Sequence, residues 1–213
     1  MNKTANNGLG AFLLRQRGRL SPELAAAFEA TPRDRFIPAQ WADAAWSSRT
    51  TPIECGEAIE GIDLQAQVLQ ALAIEPGHRV LEVGTGSGFT AALMARMSAR
   101  VTTIERYRKL AMAAKTRFEE LGLTGVTVQH ADGSNGYHYH SPYDRIIVWA
   151  AFDTLPRTFA DQLATNGIMI TPIGADEGEQ DLAKLSKVGS RFEREDIARV
   201  RLQPIVRSIA AAL

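Results

Sequence analysis

Cysteine is nearly missing from this chain. With Cys55 alone among 213 residues, no internal disulfide can form, and a reducing compartment is the expected setting. Net charge is missing as well: 24 Lys and Arg balance 24 Asp and Glu, which argues against binding nucleic acid or anionic membranes by bulk charge. No long apolar run occurs. Stretches without a charged residue, such as Gln162 to Ala175, fall short of a membrane span and contain Pro and Asn. The N-terminus lacks a basic segment followed by a solid apolar one, so no signal peptide is expected and the chain reads as soluble and cytoplasmic. No internal repeat or low-complexity tract appears.

What remains is an ordinary globular composition, 45% hydrophobic and 23% charged, on a chain long enough for one domain with a real core. The zero total is segregated. Residues 50–77 carry no Lys or Arg but five acids, Glu54, Glu57, Glu60, Asp63 and Glu75.

Residues 1–78 read as short helices and loops. Leu9, Phe12 and Leu13 form an apolar helical face that is expected to end at Gly18. Ser21-Pro22-Glu23 has the form N-cap, first-turn proline and early acid, so a helix should run to about Ala30. Thr31-Pro32 is expected to repeat this in miniature. Asp63 is expected to cap a helix that places Leu64, Val68 and Leu72 on one face.

From residue 79 to 213 the pattern alternates. Strands are expected at Arg79–Val83, Arg100–Ile104, Val126–Gln129, Arg145–Ala150 and Ile168–Ile173, with helices at Phe89–Met97, Tyr107–Leu121 and Pro156–Leu163. The remainder, around Val200 and Leu202, reads as antiparallel edge strands. The fold class is α/β: a doubly wound, Rossmann-like sheet, mostly parallel with antiparallel C-terminal strands, plus an N-terminal helical segment over residues 1–78 packed on the 79–213 domain as one globular unit.

The segment Glu82-Val83-Gly84-Thr85-Gly86-Ser87-Gly88 falls between a strand and a helix. Glycines there let the backbone turn sharply and let a ligand approach the amides. A dinucleotide fingerprint would put its third glycine at position 89, which is Phe89. Glu105 ends the next strand, beside Arg106, where a carboxylate can take both ribose hydroxyls. Asp132-Gly133 follows the third strand.

The glycine run resembles motif I of class I S-adenosylmethionine (SAM) methyltransferases. That resemblance implies SAM as cofactor, with Glu82, Gly84, Thr85, Gly86, Ser87, Gly88, Glu105, Arg106, Asp132 and Gly133 around it and Asp132 meeting the adenine amino group. From about Leu20 to Ile205 the chain is further similar to the protein-L-isoaspartate O-methyltransferase family. The carrying segments are Thr31-Pro32-Arg33-Asp34-Arg35-Phe36-Ile37-Pro38, Val80–Phe89, Asp132-Gly133, Pro142-Tyr143-Asp144-Arg145-Ile146-Ile147-Val148, Pro172-Ile173-Gly174 and Val200-Arg201-Leu202-Gln203-Pro204-Ile205. The resemblance implies a repair enzyme that methylates the carboxylate of L-isoaspartyl residues in damaged proteins or peptides. Such chemistry needs alignment and exclusion of water rather than a general base, because the acceptor is already ionised at pH 7.

The departures from that family cluster at the acceptor loop. Its pattern G-Q-T-I-S is here Gly56-Glu57-Ala58-Ile59-Glu60, so Glu60 stands where the family has an active-site serine; the following Gln-Pro is Gly61-Ile62, and T-A-A is Trp149-Ala150-Ala151. The acceptor group is thus expected from Glu57, Ala58, Ile59, Glu60, Trp149 and Ala150, with no catalytic residue assigned. An ionised Glu60 about 4 Å from a substrate carboxylate would repel it by roughly 4 kcal/mol at an effective dielectric near 20. Three readings stay open: isoaspartyl repair with an altered loop, a same-fold methyltransferase with another acceptor for which Glu60 could act as base, and a non-catalytic SAM-binding homologue. Nucleic-acid methylation is disfavoured, because no N-P-P-Y-like run follows the fourth strand. Acidic neighbours argue against Cys55 as a nucleophile. His138 and His140 lack further ligands for a metal, so no metal is expected, and their loop is expected over the cofactor edge.

Overall fold

The computed structural model describes residues 3–97, 100–175 and 178–210. Helix α1 (Lys3–Arg15) buries Phe12, and α2 (Pro22–Ala30) starts where Ser21 Oγ accepts the Leu24 amide at 3.2 Å. Thr31 does not begin a second helix by capping it. Its hydroxyl donates back to the Ala27 carbonyl at 2.7 Å, closing α2, and Arg33–Phe36 forms one 3-10 turn without a side-chain cap. Strands β1 (Thr51–Pro52) and β2 (Ala58–Ile59) make a small antiparallel ladder.

Helix α3 (Ile62–Leu72) begins at Gly61, not at a capping Asp63. Asp63 lies inside the first turn. Its carboxylate accepts Gln16 Nε2 at 2.7 Å and pairs with Arg15 at 3.5 Å, so tertiary partners take the oxygens that a cap would need. A Cβ at Gly61 would sit 2.0 Å from the Ser48 carbonyl oxygen, so backbone approach explains the glycine there.

The main sheet contains β3 (Arg79–Val83), β4 (Arg100–Glu105), β5 (Val126–His130), β6 (Tyr143–Val148), β7 (Leu163–Ile173), β8 (Gln180–Val188) and β9 (Arg191–Val200). Its order is β5-β4-β3-β6-β7-β8-β9. β3 to β7 run parallel, and the β7-β8 and β8-β9 pairs are antiparallel. Helices α4 (Phe89–Arg96), α5 (Arg108–Glu120) and α6 (Arg157–Gln162) connect the parallel strands. β7 starts at Leu163, earlier than its apolar run suggests, because the β6-β7 register shifts between Tyr143 and Arg145.

The chain order reverses between β4-β3 and β6, and crevices form at the carboxyl ends of strands at such points. The N-terminal helices share the sheet's core. The Phe89 ring of α4 lies 6.2 Å from Phe28 and 5.4 Å from Phe36, centroid to centroid. Among the described residues no helix is long and apolar enough to cross a membrane.

Candidate active site

The glycine turn after β3 is welded to the neighbouring strand. The Gly84 and Thr85 amides both donate to the Ile104 carbonyl, at 2.9 and 3.2 Å, and Gly86 N donates to Glu105 Oε2 at 2.9 Å. Gly84 (φ 93) and Gly88 (φ 89) occupy the left-handed region. A Cβ at Gly84 would lie 3.2 Å from Trp149 Cβ, and one at Gly88 would lie 2.7 Å from Phe118 Cζ. Gly84 therefore lets β6 close on the turn, and Gly88 lets α4 start against α5.

Beneath the turn lies a hydrogen-bonded core centred on Glu82. Its carboxylate accepts the Thr103 hydroxyl at 2.7 Å, the Trp149 indole nitrogen at 3.2 Å and the Thr90 hydroxyl. The single Thr103 hydrogen goes to Glu82, so its oxygen accepts from Thr85, 2.6 Å away. Complete burial pushes the Glu82 carboxyl up to about 7 despite these donors. Glu82 does not line the cleft; its oxygens hold Trp149 and the start of α4, so it supports the ligand-facing surface from behind.

The cleft itself measures about 720 Å³ counting its open mouth, and Glu57, Gly84, Gly86, Glu105, Arg106, Gly133, Trp149 and Ala150 line it. Glu105 ends β4 with Oε1 accepting Tyr107 N at 3.0 Å and Oε2 accepting Gly86 N, which leaves lone pairs on both oxygens. Burial raises its pKa against those amide donors. Arg106 stacks 4.8 Å over the Tyr107 ring and donates to its hydroxyl at 3.0 Å. At Gly133 a Cβ would lie 2.5 Å from Val83 Cγ1, so the β5 loop closes tightly on β3.

Asp132 is outside the lining. Its Oδ1 accepts the Ser134 amide at 2.8 Å and Oδ2 the Ser208 amide at 2.7 Å, so both oxygens hold main chain. Burial works to raise its pKa, but the Ser134 and Ser208 amides and Arg106 outweigh that and hold it below the ordinary value. The Ser208 contact belongs to a feature that sequence reasoning missed. After β9 the chain crosses the cleft as a strap. Pro204 pairs with Ala151, Ile205 N donates to Ala151 O at 2.8 Å, Arg106 Nε donates to Ser208 O at 3.3 Å, and Ala210 N donates to Arg106 O at 3.0 Å. Residues 203–206 wall the cleft. No local pattern in 203–210 announces this; its partners lie some fifty to a hundred residues away in sequence.

A second, smaller cavity of about 350 Å³ lies on the far side of the wall formed by Ala58, Gly84, Gly86 and Trp149. Thr85, Ser87, Phe89, Thr90, Ile59, Glu60 and Gln65 complete it. Glu60 also borders an outer groove with Thr50, Asp63, Arg199 and Arg201. Its Oε2 accepts from Thr50 Oγ1 at 3.4 Å, and burial raises its pKa against that bond. Arg33, wholly buried, donates to the Glu60 carbonyl at 2.8 Å, to Gln65 Oε1, and lies 4.6 Å over the Phe89 ring. The 57–60 segment, expected as an acceptor loop, thus reaches the larger cleft through Glu57 and Ala58, and the smaller cavity through Ala58, Ile59 and Glu60.

One expectation is corrected by position. The His138–His140 turn does not overhang the cleft. His140 Nδ1 lies 3.0 Å from Thr102 Oγ1 and its carbonyl accepts from Arg79 at the start of β3, which places the loop at the amino-terminal edge of the strands. Loop 131–142 has to return from the end of β5 to the start of β6, and that carries its histidines away from the site. Cys55 sits in the β1-β2 turn with φ 63, and burial first, then Glu105, Glu54 and Glu57, raise its pKa despite Lys109. Among the described residues no group of three or more His, Cys, Asp or Glu is placed to hold a metal.

A doubly wound sheet, a glycine turn bonded to the acid at the end of the next strand, and a largely apolar cleft at the switch point define a Rossmann-like α/β protein with a ligand crevice at the carboxyl ends of its strands. Residues 5–210 match the family described as protein-L-isoaspartate(D-aspartate) O-methyltransferase. A Rhizobium meliloti protein-L-isoaspartate O-methyltransferase is 44% identical over 203 residues, covering 95% of this chain and 100% of that one. An Azorhizobium caulinodans relative of the same name is 40% identical over 205 residues, with 95% and 94% covered. A solved protein-L-isoaspartate O-methyltransferase superposes with TM-score 0.82 at 25% identity, covering 96% of this chain and 67% of that one. A Plasmodium falciparum structure, described as a putative enzyme of this kind in complex with S-adenosyl-L-homocysteine, shares the fold with TM-score 0.81 at 20% identity, covering 96% and 99%. The chain belongs to the protein-L-isoaspartate (D-aspartate) O-methyltransferase family.

Proposed function

We propose that this chain methylates the carboxylate of L-isoaspartyl residues in damaged proteins or peptides of the cytoplasm, with SAM as donor. The observation that carries the reading is the pair of cavities meeting across Ala58, Gly84, Gly86 and Trp149, one lined by the glycine turn and Glu105 and one bordered by the acceptor loop. When bound, SAM supplies an already activated methyl group.

The chain's own residues fit that cofactor. Glu105 keeps lone pairs toward the cleft for ribose hydroxyls, and Gly84 and Gly86 leave the turn without side chains. Arg106 and Gly133 frame the same cleft, and the 203–206 strap with Trp149 excludes water. Asp132 acts through the strap it anchors, and Glu82 through Trp149 and Thr90. Residues 1–78 form the cap over the smaller cavity and 79–213 the cofactor domain. No side chain is assigned as general base, because an ionised carboxylate acceptor needs none.

The test is turnover of an isoaspartyl peptide with labelled SAM. A methyl ester on the isoaspartyl peptide, absent from its aspartyl counterpart, is the expected result. Glu60 in the acceptor cavity favours a second reading, a cationic or N–H-bearing acceptor. Retained SAM binding without isoaspartyl turnover would select that reading or the non-catalytic one.

A further inference from the structure

Arg33 has no carboxylate partner within ion-pairing distance among the described residues, although its exposure is 0%. A buried cation without a counter-ion is costly unless something of opposite charge arrives. Its hydrogen bonds go to two neutral oxygens, Glu60 O and Gln65 Oε1, and its Nε has no partner. The three groups it touches, Glu60, Gln65 and Phe89, all line the smaller cavity. Burial lowers the guanidinium to about 9, which still leaves it charged at neutral pH.

The bond to Gln65 has a directional consequence. A guanidinium only donates, so Gln65 must face it with Oε1, and the amide nitrogen must point the other way. Gln65 is 4% exposed and lines the cavity, yet its Nε2 makes no hydrogen bond among the described residues. Thr85, Thr90 and Trp149, which share the cavity wall, donate into the Glu82 network instead. Of the remaining side-chain donors there, Ser87 and Gln65, only Gln65 is coupled to a buried positive charge.

We propose that Gln65 Nε2 binds the acceptor carboxylate, and that Arg33 is the positioning residue that fixes the amide's direction and supplies the countercharge behind it. A carboxylate needs donors, and the loop position at which the family resemblance implies a serine here carries the carboxyl of Glu60. Gln65, one turn into α3, restores a donor from a helix, and Arg33 offsets the charge that Glu60 brings to the mouth. The inference rests on the isoaspartyl reading and names the side chains that hold that acceptor.

The experiment uses the full chain saturated with S-adenosyl-L-homocysteine. An isoaspartyl peptide is titrated calorimetrically, and steady-state turnover with SAM is measured in parallel. Gln65→Glu satisfies Arg33 with an ion pair but turns an acceptor toward the peptide. It should raise KM and the peptide Kd by roughly 10–100-fold, the range for losing a hydrogen bond to a charged group. Its S-adenosyl-L-homocysteine affinity should stay within about twofold. Gln65→Met, of similar shape and donorless, should behave alike and covers the case in which Gln65→Glu misfolds. Arg33→Lys keeps the charge but loses the fork, and should raise KM more than it lowers kcat. Wild-type KM and Kd in both Gln65 variants would overturn the inference alone. A wild-type protein that neither binds nor methylates the isoaspartyl peptide would overturn the isoaspartyl reading and this inference with it.

Discussion

Glu105 and Gly86 are joined by a carboxylate-amide hydrogen bond of 2.9 Å that ties the glycine turn to the end of β4. One side chain thereby shapes the glycine turn and lines the cleft beside it. Glu105→Ala should weaken S-adenosyl-L-homocysteine binding about 10–100-fold, from lost hydrogen bonds to a charged group, as read by calorimetry. Glu105→Gln should fall between that variant and wild type, since it keeps one acceptor oxygen.

Glu82 should make stability depend on pH. Burial holds its folded carboxyl at about 7, above the ordinary 4.5, so the folded state binds the extra proton between those values. Its contribution is fully present below the lower value and declines as pH rises through the upper one. Urea unfolding from pH 4 to 8 should show that decline, and Glu82→Gln, neutral throughout, should flatten it.

Gly88→Ala should destabilise the protein by about 2–4 kcal/mol, combining left-handed strain with overpacking against Phe118. Gly77 has a similar φ of 86 but open space around it, so Gly77→Ala isolates the strain and should be destabilising by about 1–2 kcal/mol. Equal losses in chemical denaturation would show that Phe118 yields freely.

Asp132→Ala should release the strap from the cleft. Hydrogen exchange should quicken at the Ser208 amide and its neighbours, and S-adenosyl-L-homocysteine should dissociate faster. The depressed pKa sets the sign: the anchoring contribution is present above the ordinary carboxyl range and is lost as pH falls through the lowered value.

Glu60 should tune acceptor binding with pH. Its raised pKa means that KM for an isoaspartyl peptide should climb as the carboxyl ionises, and Glu60→Gln should remove that slope. The triple change Glu57→Gln, Ala58→Thr and Glu60→Ser, measured in the same assay, should lower KM further by removing two negative charges.

The parallel strands were legible because each is a short apolar run bounded by turn residues; Arg79–Val83 matches its expected limits, and the α2 start follows from Ser21-Pro22. The glycine turn and Glu105 were legible as well, since strand-end chemistry is local. Asp63 was misread as a cap because Arg15 and Gln16, which take its carboxylate, come from another helix. The histidine loop was misplaced because the direction in which a loop returns is a property of strand order rather than of its own residues.

The sequence alone determined the α/β alternation, the placement of a glycine turn after the first long strand, and the concentration of acidic residues in residues 50–77. These follow from periodicity, glycine freedom and local charge, all readable within a few residues. Only the tertiary structure decided that Glu82 and Asp132 bond to protein groups instead of lining the cleft, that residues 203–206 wall it, and that Gln65, which lines the smaller cavity, turns its Oε1 to the buried Arg33. A hydrogen bond is assigned by where two groups meet, and groups separated by tens of residues meet only once the sheet order and the packing of the N-terminal helices are set.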